Sequence, residues 1–110
     1  MASNYSRGRA FEYRTRDKLL KMGAVYVMRA AQSKGAADLL ALWSPDWWRT
    51  AEAPVWAIQC KRGTGRLAPT ERDTLLDLAE RTGAVPVLAK TGANGRGVVF
   101  TDLRTGEPIV

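Results

Sequence analysis

The segment Val55-Trp56-Ala57-Ile58-Gln59-Cys60-Lys61 decides the fold, because it predicts a buried strand that carries polar side chains on one face. Its β-branched and aromatic residues favour a strand, and a proline and a glycine bound it. Successive strand residues point to opposite faces, so Gln59 and Lys61 share one face while Ile58 and Cys60 share the other. A glutamine and a lysine on the inner part of a sheet are costly unless they meet polar partners, so this face predicts a functional site.

A second apolar run, residues 37–43, predicts a neighbouring strand with Asp38 at its beginning. A carboxylate and an amide oxygen can hold Mg²⁺, and a lysine can lie beside the attacking water or the phosphate. Asp38, Gln59 and Lys61 together therefore indicate phosphodiester chemistry, and no other acid is expected beside the Gln-x-Lys strand. The structural alternatives are that Asp38 caps a loop and that Lys61 only extends from the strand end into solvent.

The rest of the chain predicts one α/β domain, residues 1–110, with a mixed sheet of five strands. The expected elements are a helix at 6–22, strands at 24–29, 37–43 and 55–61, a helix at 70–82, and strands at 85–90 and 98–101. Thr70 with Asp73 resembles a variant capping box at the start of the second helix. Pro86 cannot donate a ladder hydrogen bond, which places its end of the fourth strand near a sheet edge or an irregularity.

The composition restricts the chemistry. One cysteine, Cys60, excludes an internal disulfide and a multi-cysteine zinc site, and the absence of histidine excludes Ser-His-Asp, Cys-His and histidine-metal catalysis. Hydrolysis must then use carboxylates, lysine and a hard metal ion.

The charge points to a polyanionic partner. A net charge of +6 favours a nucleic-acid partner. The charge alone does not distinguish a DNA-acting enzyme from a general RNA binder or a ribosome-associated protein. The sequence holds no apolar run that could span a membrane, and its first residues lack the apolar stretch of a signal peptide, so we expect a cytoplasmic protein with no membrane partner.

An ordered set of residues resembles a known family. The set comprises Gly8 and Glu12 in the first helix, Arg29 at the end of the first strand, Ser33 and Gly35 in the following loop, Asp38, and Gln59-Cys60-Lys61. It is similar to the archaeal-type Holliday junction resolvases of the PD-(D/E)xK nuclease superfamily, over roughly residues 7 to 90. The resemblance implies a restriction-endonuclease-like domain, with the sheet flanked by helices. It also implies a Mg²⁺-dependent endonuclease, with Mn²⁺ as a substitute, that cuts four-way DNA junctions by paired symmetric nicks.

The resemblance also implies roles for individual residues. Glu12 would help to hold the metal or orient water, Asp38 would be the central metal ligand, and Gln59 would complete the set. Lys61 would stabilise the developing charge or the hydroxide, and Ser33 would lie beside the scissile phosphate. For DNA binding, the implied residues are Arg7, Arg9, Arg29 and Lys34.

Three features depart from the family pattern. Gln59 stands where the family usually has an acid, so the metal should be held less tightly. Ala37 replaces the proline of the motif name, which binds nothing. The tryptophans of the segment 43–48 are explained by core packing, by a dimer contact or by base stacking.

The resemblance and the symmetry of a four-way junction predict a homodimer, because one chain supplies one active site. We expect its interface at the late strand, residues 98–100, and on the face of the second helix, where one of Leu75 and Leu76 should lie in the core and the other should point outward. The Trp47–Trp48 loop is the second choice. Two other functions remain open: a nickase or repair nuclease on duplex or flapped DNA, and a nuclease fold that binds DNA after losing activity through Gln59.

Overall fold

The computed structural model describes residues 4–30, 35–44, 55–93 and 95–109, and within this range the side chains from residue 8 onward. The elements are α1 (Asn4–Met22), β1 (Tyr26–Arg29), β2 (Leu39–Leu42), β3 (Val55–Lys61), α2 (Pro69–Thr82), β4 (Val85–Thr91), β5 (Val98–Asp102) and β6 (Glu107–Ile109). They confirm the expected α/β class, and β3 has the bounds that its sequence predicted.

The six strands form one mixed sheet in the order in which they occur along the chain. β3 and β4 are parallel, with α2 as the crossover between them, and the other neighbouring pairs are antiparallel. The sheet has one strand more than expected, because residues 107–109 pair with β5. The carboxyl ends of β3 and β4 consequently lie side by side, which is where α/β sheets commonly place their ligands.

Each helix covers one face of the sheet. The α1 face holds the larger apolar cluster, in which Phe11 and Leu19 pack against the strands. Trp43 lies in this core with its ring centre 4.6 Å from that of Trp56, so packing explains the first tryptophan of the segment 43–48. The Trp47–Trp48 loop lies outside the described residues. On the other face, α2 buries Leu75 against the sheet.

One local expectation was wrong, and another holds in only one of its two alternatives. Helix α2 begins at Pro69, and its N-cap is Ala68 rather than Thr70, because Glu71 Oε1 accepts a hydrogen bond from the Ala68 N–H at 3.0 Å. Pro86 is buried in an interior strand, so it does not lie at a sheet edge. It lies instead at an irregularity, just before the first β4–β5 pair, Val87 with Asp102. Its carbonyl accepts the Leu103 N–H, and the Leu103 carbonyl accepts a hydrogen bond from Arg72 in place of the N–H that proline lacks.

A further correction concerns the late strand, which was expected to be an outer strand at the dimer interface. β5 is not an outer strand, because β6 pairs along its free edge. On α2, Leu75 is the member of its pair that lies in the core, as expected, and Leu76 is half-buried. In the described part of the chain, no helix is both long and apolar enough to cross a bilayer.

Candidate active site

A pocket of about 400 Å³ opens between the two helices at the carboxyl end of β3. The side chains expected to carry the chemistry line it together: Glu12 from α1, Asp38 from the start of β2, and Gln59 and Lys61 from β3. The pairing of β2 with β3 creates this meeting point, since Leu39 lies opposite Ile58 and the preceding Asp38 therefore lies beside the strand end. The structure thus brings together residues from three separate segments of the sequence.

Asp38 is held in place by the sheet itself. Its backbone N–H donates to the Ile58 carbonyl at 2.8 Å, and its Oδ2 accepts the Cys60 N–H at 2.8 Å. Its other carboxylate oxygen accepts no hydrogen bond from the part of the chain that the structure describes. The side chain is buried, yet one oxygen is left for a ligand in the pocket.

Gln59 is only 5% exposed and is also anchored at one end. Its Nε2 donates to the Ala36 carbonyl at 2.9 Å. This bond fixes the orientation of the amide, and within the described ranges the amide oxygen accepts no hydrogen bond. A glutamate at this position would repel the Ala36 carbonyl, so the local backbone suits the amide that the sequence provides.

Glu12 and Arg29 form a partly buried ion pair, with 2.8 Å between Oε1 and Nε. The guanidinium of Arg29 also lies 5.1 Å from the centre of the Tyr13 ring. Two residues assigned to different tasks, one to the metal and one to DNA, therefore contact each other at the edge of the pocket.

Lys61 has an acidic partner that the sequence did not predict. Its Nζ lies 2.8 Å from Glu71 Oε2 in the first turn of α2, and the other oxygen of the same carboxylate accepts the Ala68 N–H. The expectation that no acid other than Asp38 lies beside the strand was therefore wrong. The missed signal is Glu71 directly after Pro69-Thr70 at a helix start, where a glutamate commonly turns back to the N-cap.

The pocket disfavours the charged form of two of its acids, Asp38 and Glu12. Burial raises the pKa of Asp38, and the Cys60 N–H and Lys61 oppose this shift only in part. Burial and the neighbouring Asp38 carboxylate raise the pKa of Glu12 despite Arg29. In contrast, Lys61 and the Ala68 N–H lower the pKa of Glu71. Glu12 and Asp38 therefore lie in a site where a cation would relieve both burial and repulsion.

Of the other residues expected to contact DNA, the structure describes only some. Arg9 lies on α1 with its side chain exposed, about one turn before Glu12 on the same helix. The backbone of Arg7 is in α1, but its side chain lies outside the described residues, as do Ser33 and Lys34 entirely.

The fold is shared with a structurally characterised nuclease. The chain matches the structure of Archaeoglobus fulgidus Hjc, a Holliday junction resolvase from an archaeal hyperthermophile, with a TM-score of 0.67. The match covers 90% of this chain and 75% of that chain, at 22% sequence identity. No protein-family model and no curated protein matches the sequence. The likeness shows that this chain has an Hjc-like nuclease fold.

Proposed function

We propose that this protein is a metal-dependent endonuclease that cuts branched DNA, with the four-way junction as its substrate. The observation that carries the proposal is the convergence of Asp38, Gln59 and Lys61 in one pocket, inside a fold shared with a Holliday junction resolvase. An acid, an amide oxygen and a lysine at the end of paired strands suit phosphodiester hydrolysis. The positive net charge suits the DNA substrate.

The donor set of the pocket fits Mg²⁺ with few protein ligands. Within the described ranges, no three His, Cys, Asp or Glu side chains are grouped to hold a metal. Mg²⁺, however, commonly uses one or two carboxylates and completes its shell with water and substrate phosphate. Asp38 and Gln59 each have an oxygen without a hydrogen bond from the described residues, and Glu12 lines the same pocket. These three would hold the ion, and Mn²⁺ has the same preference for oxygen.

When bound, the metal would lower the pKa of a coordinated water and neutralise phosphate charge. The chain's own residues orient the reaction around it. Asp38 places a carboxylate at a position fixed by the Cys60 N–H, and Lys61 places a cation beside the phosphate. As the resemblance implies, Ser33 and Arg29 would lie beside the scissile phosphate, and Lys34 would bind DNA.

Glu71 acts on the reaction through Lys61. Its carboxylate is fixed by the Ala68 N–H and in turn holds the ammonium group, so the helix start determines where the lysine lies. Lys61 has four rotatable bonds, and such an anchor limits the conformations that it must lose when DNA binds. We therefore include Glu71 as a positioning residue.

The proposed active form is a homodimer that uses the uncovered part of the sheet. Tyr26 and Met28 on β1 are 54% and 49% exposed, and their cross-strand partners on β2, Leu42 and Leu40, extend the same apolar face. Helix α2 packs on β3 and β4 instead. A second copy of this chain would bury the face and supply the second active site that paired nicks require.

Sedimentation tests this dimer. Met28→Lys should give a monomer at micromolar concentration, whereas Val99→Lys, an exposed valine on β5, should leave the dimer intact. Dissociation by Val99→Lys alone would return the interface to the late strand, and a wild-type protein that stays monomeric with junction DNA would exclude paired nicking.

A cleavage panel tests the function as a whole. Four-way junction, flap and linear duplex DNA are incubated with the protein in Mg²⁺, in Mn²⁺ and in EDTA, with Asp38→Asn as the matched inactive control. We expect metal-dependent cleavage of the junction and none by the variant, which should still bind DNA. Preferred cleavage of flap or linear DNA would indicate the repair nuclease or nickase, and binding without cleavage would indicate the DNA-binding module.

A further inference from the structure

A second depression lies on the opposite side of β3 from the candidate active site. It has a volume of about 330 Å³ and is lined by Ala10, Phe11 and Arg14 of α1 together with Arg62. No acidic side chain among the described residues lines it, and the exposed Ala10 leaves space beside the two guanidinium groups. We define these four residues as the arginine notch.

Neither arginine of the notch is neutralised by the described parts of the protein. Arg14 Cζ lies 5.2 Å above the Phe11 ring, and this is the only side-chain interaction that it makes within those ranges. The nearest acid along its helix face, Asp17, is paired with Arg16 at 3.1 Å. Arg62 likewise forms no side-chain hydrogen bond or ion pair with the described residues, so both keep their full donor capacity.

The backbone fixes the position of Arg62. Its carbonyl accepts the Gly65 N–H at 3.0 Å, and the following Gly63 N–H donates to Thr91 Oγ1 at 2.9 Å at the end of β4. The Phe11 ring is buried in the core and supports Arg14 from below. The notch is therefore organised by the fold before any ligand binds, and a guanidinium fork is well suited to bind phosphate oxygens.

The position of the notch connects it with the active site. Lys61 is the last residue of β3 and Arg62 follows it directly, so the alternation of the strand directs their side chains to opposite faces. Lys61 faces the pocket beside α2, and Arg62 faces the notch beside α1. A DNA strand with its scissile phosphate in the pocket would pass over this strand end toward the notch.

We propose that the arginine notch binds a backbone phosphate of the same DNA strand, next to the phosphate that is cut. The proposal deepens the proposed function and rests on it for the identity of the ligand. It adds a phosphate contact that neither the acidic motif nor the basic start of α1 suggests.

The experiment measures the affinity for an intact four-way junction in EDTA as a function of salt, so that cleavage plays no part. The test protein carries Arg14→Gln with Arg62→Gln. Its control carries Arg81→Gln with Arg104→Gln, one arginine in the last turn of α2 and one in the β5–β6 turn, and therefore has the same net charge. Each phosphate contact that is lost should reduce the log–log salt slope by roughly 0.9, so we expect a reduction of about 1.8 relative to the control.

Equal slopes in the two double variants, with both proteins folded by circular dichroism, would overturn the notch. Arg14→Lys with Arg62→Lys should restore the slope, because it keeps the charge. The outcome is independent of nuclease activity. If DNA is bound with the expected change of slope but never cut, the notch stands and the proposed function fails. If DNA is cut but the slopes are unchanged, the proposed function stands and the notch is excluded. No DNA binding by the wild-type protein would remove both.

Discussion

Removing the charge of Asp38 should make the metal-free protein more stable while it destroys the active site. Burial raises the pKa of Asp38, which means that the folded environment favours the neutral side chain. The asparagine introduced by Asp38→Asn keeps the shape and can still accept the Cys60 N–H through its amide oxygen. Weakening this charge-assisted hydrogen bond to a neutral one costs about 1 kcal/mol. Relief of the buried charge, worth several kcal/mol per ion at full burial, exceeds this cost.

The expected net gain is about 1 kcal/mol in the free energy of unfolding, which corresponds to about 4 °C in Tm for a domain of this size. Thermal unfolding in EDTA at pH 7 measures it. The exposed substitution Glu80→Gln is the control for loss of one negative charge, and it should change stability by less than about 0.5 kcal/mol. A variant Asp38→Asn that is no more stable than the wild type would refute the reasoning from burial.

The pH dependence has a defined sign. Because the folded pKa of Asp38 is raised, the folded state holds the proton more tightly than the unfolded chain. The stability that this provides is fully present below the unfolded pKa, about 3.9, and is lost as the pH rises through the folded value. The advantage of Asp38→Asn should therefore vanish below about pH 4 and grow toward neutral pH.

Metal addition should reverse the order of stability. Mg²⁺ at ten times its Kd should stabilise the wild-type protein by about 1.4 kcal/mol, whereas the variant lacks the proposed central ligand and should not respond. An equal rise of Tm in both proteins would place the ion elsewhere.

The other predictions concern activity and DNA binding. Glu71→Gln should change stability by no more than about 0.5 kcal/mol, since its ion pair with Lys61 is partly exposed, yet lower kcat about tenfold through misplacement of the lysine; unaltered single-turnover rates would make Glu71 a purely structural helix residue. Gln59→Glu should reduce the Mg²⁺ concentration needed for half-maximal cleavage, and an unchanged titration would mean that Gln59 only supports the strand. Replacing Arg7 and Arg9 together should reduce the salt slope of DNA binding by roughly 0.9 per lost contact, and an unaltered slope would show that they face solvent in the complex.

The sequence predicted what depends on local pattern and missed what depends on docking. The third strand was predicted with its bounds, because its residue types and flanking breakers agree, and its two-residue alternation assigned Gln59 and Lys61 to one face. The three-residue β6 contains Pro108 and forms only because β5 offers a free edge. Such short pairings leave no periodic signal in a sequence.

For the candidate site as well, the sequence predicted the residues within strands and missed the contacts made by the helices. Asp38 and the Gln-x-Lys pair could be recognised because polar residues in apolar strands are costly. Glu71 could not be assigned to the site, because its contact with Lys61 depends on how α2 packs across the sheet. The Glu12–Arg29 pair is of the same kind, since it joins a helix to a strand through tertiary structure alone.

The order of the strands has a consequence for how the protein folds. Since every strand pairs with its neighbour in the chain, β1 to β3 and β4 to β6 each form an antiparallel unit by local closure. The parallel pairing of β3 with β4 must close the connection 62–84, which is roughly four times as long as the 92–97 turn between β4 and β5. Its closure therefore costs about 1 kcal/mol more in chain entropy than closure of that turn. The β3–β4 pairing should therefore form late, and Glu71 reaches Lys61 only when this pairing is in place. A folding chain would then hold Asp38 beside Gln59 and Lys61 in its first antiparallel unit before Glu71 arrives to fix the position of the lysine.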